Sequence, residues 1–281
     1  MPRLATSALA GAITFVCAVV PAQGTPSAGK SVVGGGIVAP GSLPSTVSIK
    51  FGDGLCTGSV VAPTTIVTAA HCLRGTPASQ IFVRANTVSS FAGGEVLGVT
   101  AAVPHPGFKL GFNGMINDIA ILKLATPTTA TPIALPTAAE DAALSPPGAT
   151  MAIAGFGRSN PALDRPARVG QLRSATAYAR TACRGPGYRS FTTATMVCAS
   201  GAAFVVARSG RKRRQVQRAT CFGDSGGPLL ADTPTGPRLL GVTSYGGIYP
   251  FRFSFVACGL RGFPDVYTRV SAYLPFIQPY L

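Results

Sequence analysis

Short apolar runs separated by turn residues constrain the fold of this chain more than any other feature. Examples are residues 45–51 (STVSIKF), 118–125 (DIAILKLA) and 265–270 (DVYTRV), which are rich in β-branched and aromatic residues. The chain also contains 34 glycines and 24 prolines, which suit many tight turns better than long helices. The sequence therefore predicts an all-β protein built from antiparallel barrels or sandwiches.

Residues 125–150 divide the chain, because they are rich in proline and threonine and show little periodicity. They predict a connection between one half of about 32–125 and another of about 150–281, with a shared ligand site in the cleft between them. Helical spacing is recognised only at the C-terminus, in Val270, Tyr273, Leu274, Ile277 and Leu281. Pro275 and Pro279 predict that this helix is short.

The N-terminus has the pattern of a secretory signal. Residues 1–24 carry an early arginine, an apolar run and small residues before Gly24. The run is short and interrupted by polar residues, which disfavours a membrane anchor. We therefore expect a secreted, extracellular protein that has no membrane association after residues 1–24 are removed.

The cysteines support an oxidising compartment. Of the seven, Cys17 lies in the predicted signal, which leaves six: Cys56, Cys72, Cys183, Cys198, Cys221 and Cys258. Three disulfides are the simplest interpretation, although the count alone leaves their pairing open. A zinc site is disfavoured because the chain has no C-x-x-C pair and only two histidines.

The formal net charge is +15, and residues 208–218 (RSGRKRRQVQR) hold six of the 24 basic residues. Such a run could bind nucleic acid or an anionic surface. In a secreted chain, a solvated loop or a processing site is the more economical interpretation. We therefore expect no nucleic-acid partner.

Ser225 lies in ATCFGDSGGPLL, where glycines leave its hydroxyl uncovered. A nucleophilic serine needs a base, and only His71 and His105 are available. Both precede Ser225, whereas α/β-hydrolases place the histidine last, so the G-x-S-x-G elbow of that class is excluded. His105 lies between prolines and is expected to be structural. Asp118 begins an apolar strand, where a buried carboxylate needs a partner such as an imidazole N–H.

The order His71, Asp118, Ser225, within TAAHC, DIAIL and GDSGGP, resembles the chymotrypsin/trypsin family of secreted serine endopeptidases. The resemblance extends from about Val32 to Leu281. It implies two six-stranded antiparallel β-barrels, about 32–135 and 136–281, with the active site between them and a short C-terminal helix.

The resemblance also implies roles for individual residues. His71, Asp118 and Ser225 would form the catalytic triad, the N–H groups of Gly223 and Ser225 the oxyanion hole, and Ser244 would support Asp118. The implied disulfides are Cys56–Cys72, Cys183–Cys198 and Cys221–Cys258. The implied protein is a monomer that acts on proteins or peptides and can meet protein inhibitors, with no cofactor or metal.

Members of this family are usually made as zymogens. A cut would remove residues 25–31 as a propeptide and free the amine of Val32 to pair with Asp224. The residues before Val32 are Lys30 and Ser31, so a cut after Lys30 would leave one residue too many. The activating protease and the mature N-terminus therefore stay open.

The specificity pocket departs from the trypsin pattern. The resemblance assigns Ala219, Thr220, Phe222, Gly246 and Asp265 to it, with Ala219 where trypsins carry aspartate. Large apolar or mixed side chains are favoured over basic ones, although Asp265 could bind a basic residue from another wall. Two long segments border this region, the basic run and an aromatic segment at 248–257, and their roles stay open.

The alternative function is a catalytically silent homologue that acts as a cationic binding protein or decoy.

Overall fold

A computed structural model describes residues 1, 32–111, 114–159, 169–185, 187–201, 204–209, 212–246 and 258–281, with the backbone alone for 204–209 and 212–215. The predicted signal (1–24) apart from Met1, the propeptide (25–31) and the aromatic segment (248–257) lie outside these residues. Within the described ranges, the helices all lack the length and apolar character needed to cross a bilayer.

Six antiparallel strands close the first barrel. In spatial order they are β2 (Thr46–Phe51), β3 (Gly54–Ala62), β4 (Thr65–Thr68), β9 (Ala120–Leu124), β6 (Glu95–Pro104) and β5 (Ile81–Ala85). Fully buried β-branched residues such as Val47, Ile49, Ile66 and Ile121 fill its interior. Branched side chains suit a pleated surface packed on one face, which is why these short runs form strands.

Six further strands form the second barrel. In spatial order they are β11 (Arg173–Arg180), β10 (Thr150–Gly155), β15 (Pro228–Ala231), β16 (Arg238–Gly246), β17 (Asp265–Arg269) and β12 (Met196–Ser200), and β12 pairs back with β11. Strand β1 (Gly36–Ile37) adds to the outside of β11. The predicted pair of six-stranded barrels is therefore confirmed.

Two hairpins stand apart from the barrels. One consists of β7 (Lys109–Gly111) and β8 (Gly114–Ile116), and the other of β13 (Phe204–Ser209) and β14 (Lys212–Gln217). The second hairpin contains most of the basic run, with Arg208 opposite Arg213 in its register. The predicted basic loop is therefore largely a β-ribbon.

Among the described residues, α-helix occurs in two places, so the expectation of a helix only at the C-terminus was wrong. Helix α1 (Ala138–Leu144) lies in the connection between the barrels and begins with a capping box, in which Thr137 and Glu140 bond each other's backbone N–H. The C-terminal helix α2 (Leu274–Ile277) is short, as the prolines predicted, and is flanked by 3₁₀ turns at Val270–Tyr273 and Gln278–Tyr280.

Three disulfides join Cys56–Cys72, Cys183–Cys198 and Cys221–Cys258, which are the pairs that the family resemblance implied. The first holds the 3₁₀ turn of His71 against β3. The third connects the turn that carries Ser225 to the segment before β17.

Candidate active site

The side chains of His71 and Asp118 form a hydrogen-bonded pair in the first barrel. His71 lies in the 3₁₀ turn Ala70–Leu73 that follows β4, and Asp118 lies two residues before β9. The distance from His71 Nδ1 to Asp118 Oδ2 is 2.7 Å, and the backbone N–H of His71 donates to Asp118 Oδ1 at 2.9 Å. Because these two bonds use both carboxylate oxygens, they fix the imidazole in one orientation.

Residues of the second barrel complete the surroundings of Asp118. The Ser244 hydroxyl in β16 donates to Asp118 Oδ2 at 2.5 Å, and the Thr268 hydroxyl in β17 donates to the Asp118 carbonyl at 2.7 Å. The Asp118 side chain is only 1% exposed, whereas the His71 side chain is 18% exposed. The buried carboxylate is therefore fully hydrogen-bonded, and the imidazole opens to the cleft.

Ser225 is half-buried in the turn that leads into β15. The Thr57 N–H in β3 donates to the Ser225 carbonyl at 2.8 Å, which joins this turn to the first barrel. Cys72 Sγ lies 3.7 Å from the Ser225 carbonyl oxygen and 3.9 Å from His71 Nε2. Ser225 and His71 therefore both lie against the same disulfide, and the imidazole nitrogen nearest to that disulfide is Nε2, the one that does not contact Asp118.

Gly223 has a backbone conformation that other residues rarely adopt, with φ at 95°. Its carbonyl accepts a hydrogen bond of 2.9 Å from the Thr57 hydroxyl, so its peptide plane is held. Within the described part of the chain, the N–H groups of Gly223 and Ser225 have no acceptor. Two such donors beside a serine can bind a developing negative charge.

Asp224 is fully buried behind Ser225. Its two carboxylate oxygens accept hydrogen bonds of 2.8 Å from the N–H groups of Gly157 and Cys221. A Cβ on Gly157 would lie 2.4 Å from the Asp224 nitrogen, so glycine is required there. Burial raises the pKa of Asp224 to about 7; the two N–H bonds oppose this rise, and the nearby Asp265 carboxylate adds to it.

Val32, the proposed new N-terminus, is buried with 1% exposure in the core of the second barrel. The next residue, Val33, is fully buried and forms an antiparallel bridge with Ala219. Ala219 lies six residues before Ser225. The chain after Val32 therefore runs beside the segment that leads to Ser225.

The five residues assigned to the specificity pocket differ in exposure. Ala219, Thr220 and Asp265 are buried, while Gly246 is exposed and Phe222 is 57% exposed. Thr220 N–H donates to Asp265 Oδ2 at 2.7 Å, and Gly246 pairs with Asp265 in the β16–β17 register. Ala219, Thr220, Gly246 and Asp265 therefore lie close together, because they are joined by sequence adjacency, by the Thr220–Asp265 bond and by the β16–β17 pairing. The Phe222 side chain projects into solvent.

The backbone N–H of His105 donates to the Ile119 carbonyl at 2.9 Å, but the His105 ring is not among the hydrogen-bond partners of the Asp118 carboxylate in the described part of the chain. Its ring packs against Tyr273 and Phe276 near the C-terminus, with centroid distances of 5.3 and 4.9 Å. Burial lowers the pKa of His105. These contacts are those of a structural histidine, as the sequence predicted.

Sequence reasoning missed Thr57 and Thr268, which bond the backbone of Gly223 and Asp118. It also missed Gly155 and Gly157, where a Cβ would collide with the Asp224 carboxylate. Both glycines lie in the stretch AGFG at 154–157, whose sequence does not show which side chain they face.

The chain has clear similarity to known proteases. A family model described as Trypsin matches residues 32–277. Serine protease 56 of Homo sapiens is 35% identical over 269 residues, which cover 88% of this chain and 38% of that protein. Trypsin alpha-4 of Lucilia cuprina is 32% identical over 262 residues, which cover 91% of this chain and 89% of that protein. Trypsin of Saccharopolyspora erythraea is 33% identical over 247 residues, which cover 86% of this chain and 94% of that protein.

Proposed function

Since the chain belongs to the trypsin family of serine endopeptidases, we propose that His71, Asp118 and Ser225 are the catalytic triad with which it hydrolyses peptide bonds. The observation that carries this proposal is the network from His71 through Asp118 to Ser244, which joins both barrels. A buried carboxylate that fixes one imidazole nitrogen leaves the other free to act as a base.

In the proposed reaction, Ser225 Oγ attacks the carbonyl carbon of the substrate while His71 Nε2 takes its proton. The negative charge that develops on the carbonyl oxygen is bound by the N–H groups of Gly223 and Ser225. One such donor typically stabilises the transition state by about 3 kcal/mol. His71 then protonates the leaving amine, which leaves an acyl group on Ser225.

Water completes the cycle by the same route. His71 removes a proton from the water as it attacks the acyl carbon, and the Ser225 oxygen leaves with that proton. Asp118 keeps the proton of His71 on Nδ1 throughout and stabilises the imidazolium. The backbone of Ser244–Gly246 would pair with the extended substrate beside this site.

We also propose that the chain is secreted as a zymogen. Cleavage before Val32 would create an ammonium group that pairs with Asp224. The burial of both residues supports this step, because a buried carboxylate of raised pKa gains most from a cation. Protein substrates and protein inhibitors are the expected partners, and we propose a monomer.

The test is the intact mass of the secreted protein before and after a fluorophosphonate probe, with Ser225→Ala as the matched control. We expect one adduct on a wild-type chain that begins at Val32 and none on the variant. A wild-type chain that begins at Val32 and takes no adduct would overturn the proposal in favour of a silent homologue.

A further inference from the structure

Asp265 is a buried carboxylate at the edge of the proposed substrate-binding strand. It is the first residue of β17, is 4% exposed and pairs with Gly246 of β16. Its Oδ2 accepts the Thr220 N–H at 2.7 Å. A Cβ on Gly246 would lie 3.1 Å from Oδ1, so this second oxygen faces the exposed Gly246 backbone.

Among the described residues, Asp265 has no cationic partner. The ion pairs found there involve Asp118, Glu140 and Asp141 instead. An unpaired ionised carboxylate in a protein interior is costly, so it either takes up a proton or acquires a cation.

Asp224 is a second buried carboxylate close enough to repel the charge of Asp265. Under the proposed activation, Asp224 acquires a cation from the chain itself, the ammonium of Val32. No described residue supplies a corresponding cation to Asp265.

We propose that the substrate supplies this cation, so that Asp265 is a specificity-determining residue that selects Lys or Arg on the acyl side of the cleaved bond while it is ionised. This inference rests on the proposed function, because it requires Ser225 to be the nucleophile. It reverses the preference for apolar side chains that Ala219 suggested, because the carboxylate lies beside Gly246 rather than at position 219.

The selection depends on pH because Asp265 is protonated more easily than an exposed aspartate. Burial raises the pKa of Asp265 to about 7, although hydrogen bonds from Thr220 oppose the rise. The titratable groups that face it are Asp224 and Tyr267, whose buried phenol has a pKa well above its usual value. Protonated Asp265 leaves a neutral pocket that does not distinguish a cation from an uncharged side chain of the same shape.

The experiment compares two peptide substrates that differ only in arginine or citrulline at the cleaved position, because citrulline keeps the shape of arginine without its charge. The ratio of the two kcat/KM values is measured from pH 5.5 to 8.5, because a pH effect that is common to both substrates cancels in this ratio. We expect the arginine preference to rise about tenfold per pH unit below the midpoint and to level off above it. A ratio that is flat across this range would overturn the inference.

Asp265→Asn is the decisive variant, and Asp232→Asn is its control because it removes an exposed carboxylate near the same barrel. We expect the ratio to stay flat near one in Asp265→Asn and to keep the wild-type profile in Asp232→Asn. Fluorophosphonate labelling of Ser225 shows that the variant is folded. Retention of the arginine preference in labelled Asp265→Asn would overturn the inference.

A second measurement in the wild type serves if Asp265→Asn is not secreted. Inhibition by benzamidine, a cation, should strengthen from pH 5.5 to 8.5, whereas inhibition that does not change with pH would count against Asp265. If the citrulline substrate is hydrolysed and the ratio of the two kcat/KM values does not change with pH, this inference is overturned and the proposed function stands. An activated chain with neither turnover nor labelling would overturn the proposed function with it.

Discussion

The Asp118 carboxylate lies 2.7 Å from His71 Nδ1 and simultaneously accepts the Ser244 hydroxyl on the same oxygen. His71 and Asp118 are 47 residues apart, and Asp118 and Ser244 are 126 residues apart. The orientation of the imidazole therefore depends on both barrels, because the carboxylate that holds it is itself held from the second barrel.

Asp118→Asn should nearly abolish turnover without unfolding the protein. An amide can donate a hydrogen bond to Nδ1, which favours the wrong imidazole tautomer, so we expect kcat to fall about 10⁴-fold. Peptide hydrolysis and circular dichroism measure the two effects. Asp53→Asn, at an exposed turn of the first barrel, is the matched control and should keep wild-type kcat. Near-normal turnover in Asp118→Asn would contradict the proposed role of this residue.

Gly223→Ala should reduce both stability and catalysis. The backbone φ of 95° penalises any Cβ by about 1–2 kcal/mol, and the new methyl would lie 2.7 Å from Gly157 Cα. Displacement of the Gly223 N–H should lower kcat about 10²- to 10³-fold. Gly236→Ala separates the two effects, because Gly236 has φ of 100° and open space around it. We expect similar backbone strain there with unchanged kcat, measured by urea unfolding and steady-state kinetics.

Thr57→Val should destabilise the junction between the barrels. The Thr57 hydroxyl donates to the Gly223 carbonyl at 2.9 Å and accepts the buried Phe156 N–H at 3.1 Å. Valine keeps the shape but leaves both groups without this partner, so the free energy of unfolding should fall by about 1–3 kcal/mol. Thr100→Val, at an exposed position of β6, should change it by less than about 0.5 kcal/mol. Equal effects in the two variants would show that the Thr57 bonds contribute little.

The uncut chain should lose stability as pH rises from 5 to 8. Burial raises the pKa of both Asp224 and Asp265 to about 7, so the folded state binds these protons more tightly than the unfolded state. The resulting stability is fully present below the unfolded pKa near 4 and is lost as pH rises through about 7.

Thermal unfolding of the uncut chain with Ser225→Ala, which prevents self-digestion, measures this loss. Addition of Asp265→Asn should make the loss smaller, while the titration of His105 affects both proteins equally. The same pH dependence with and without Asp265 would contradict the prediction.

The candidate site could largely be predicted from the sequence, because its chemistry depends on rare residues. The chain has two histidines and nine carboxylates, so His71, Asp118 and Ser225 had few competitors. Helix α1 was missed although its capping box, Thr137 and Glu140, is visible in the sequence. The prolines and threonines around the helix indicated an irregular connection, and the capping box that indicates a helix consists of only two residues.

The sequence by itself determined the strands, the disulfide-forming cysteines and the order of the reactive residues, because each of these depends on local composition or on a short motif. Only the tertiary structure decided that Thr57 holds Gly223, at a separation of 166 residues, and that Asp265 bonds Thr220, at a separation of 45. Such contacts depend on how two barrels close and in which register β16 and β17 pair. The physical reason is that burial and hydrogen-bond partners are properties of the packed chain, so the environment of a carboxylate is set by residues distant in sequence.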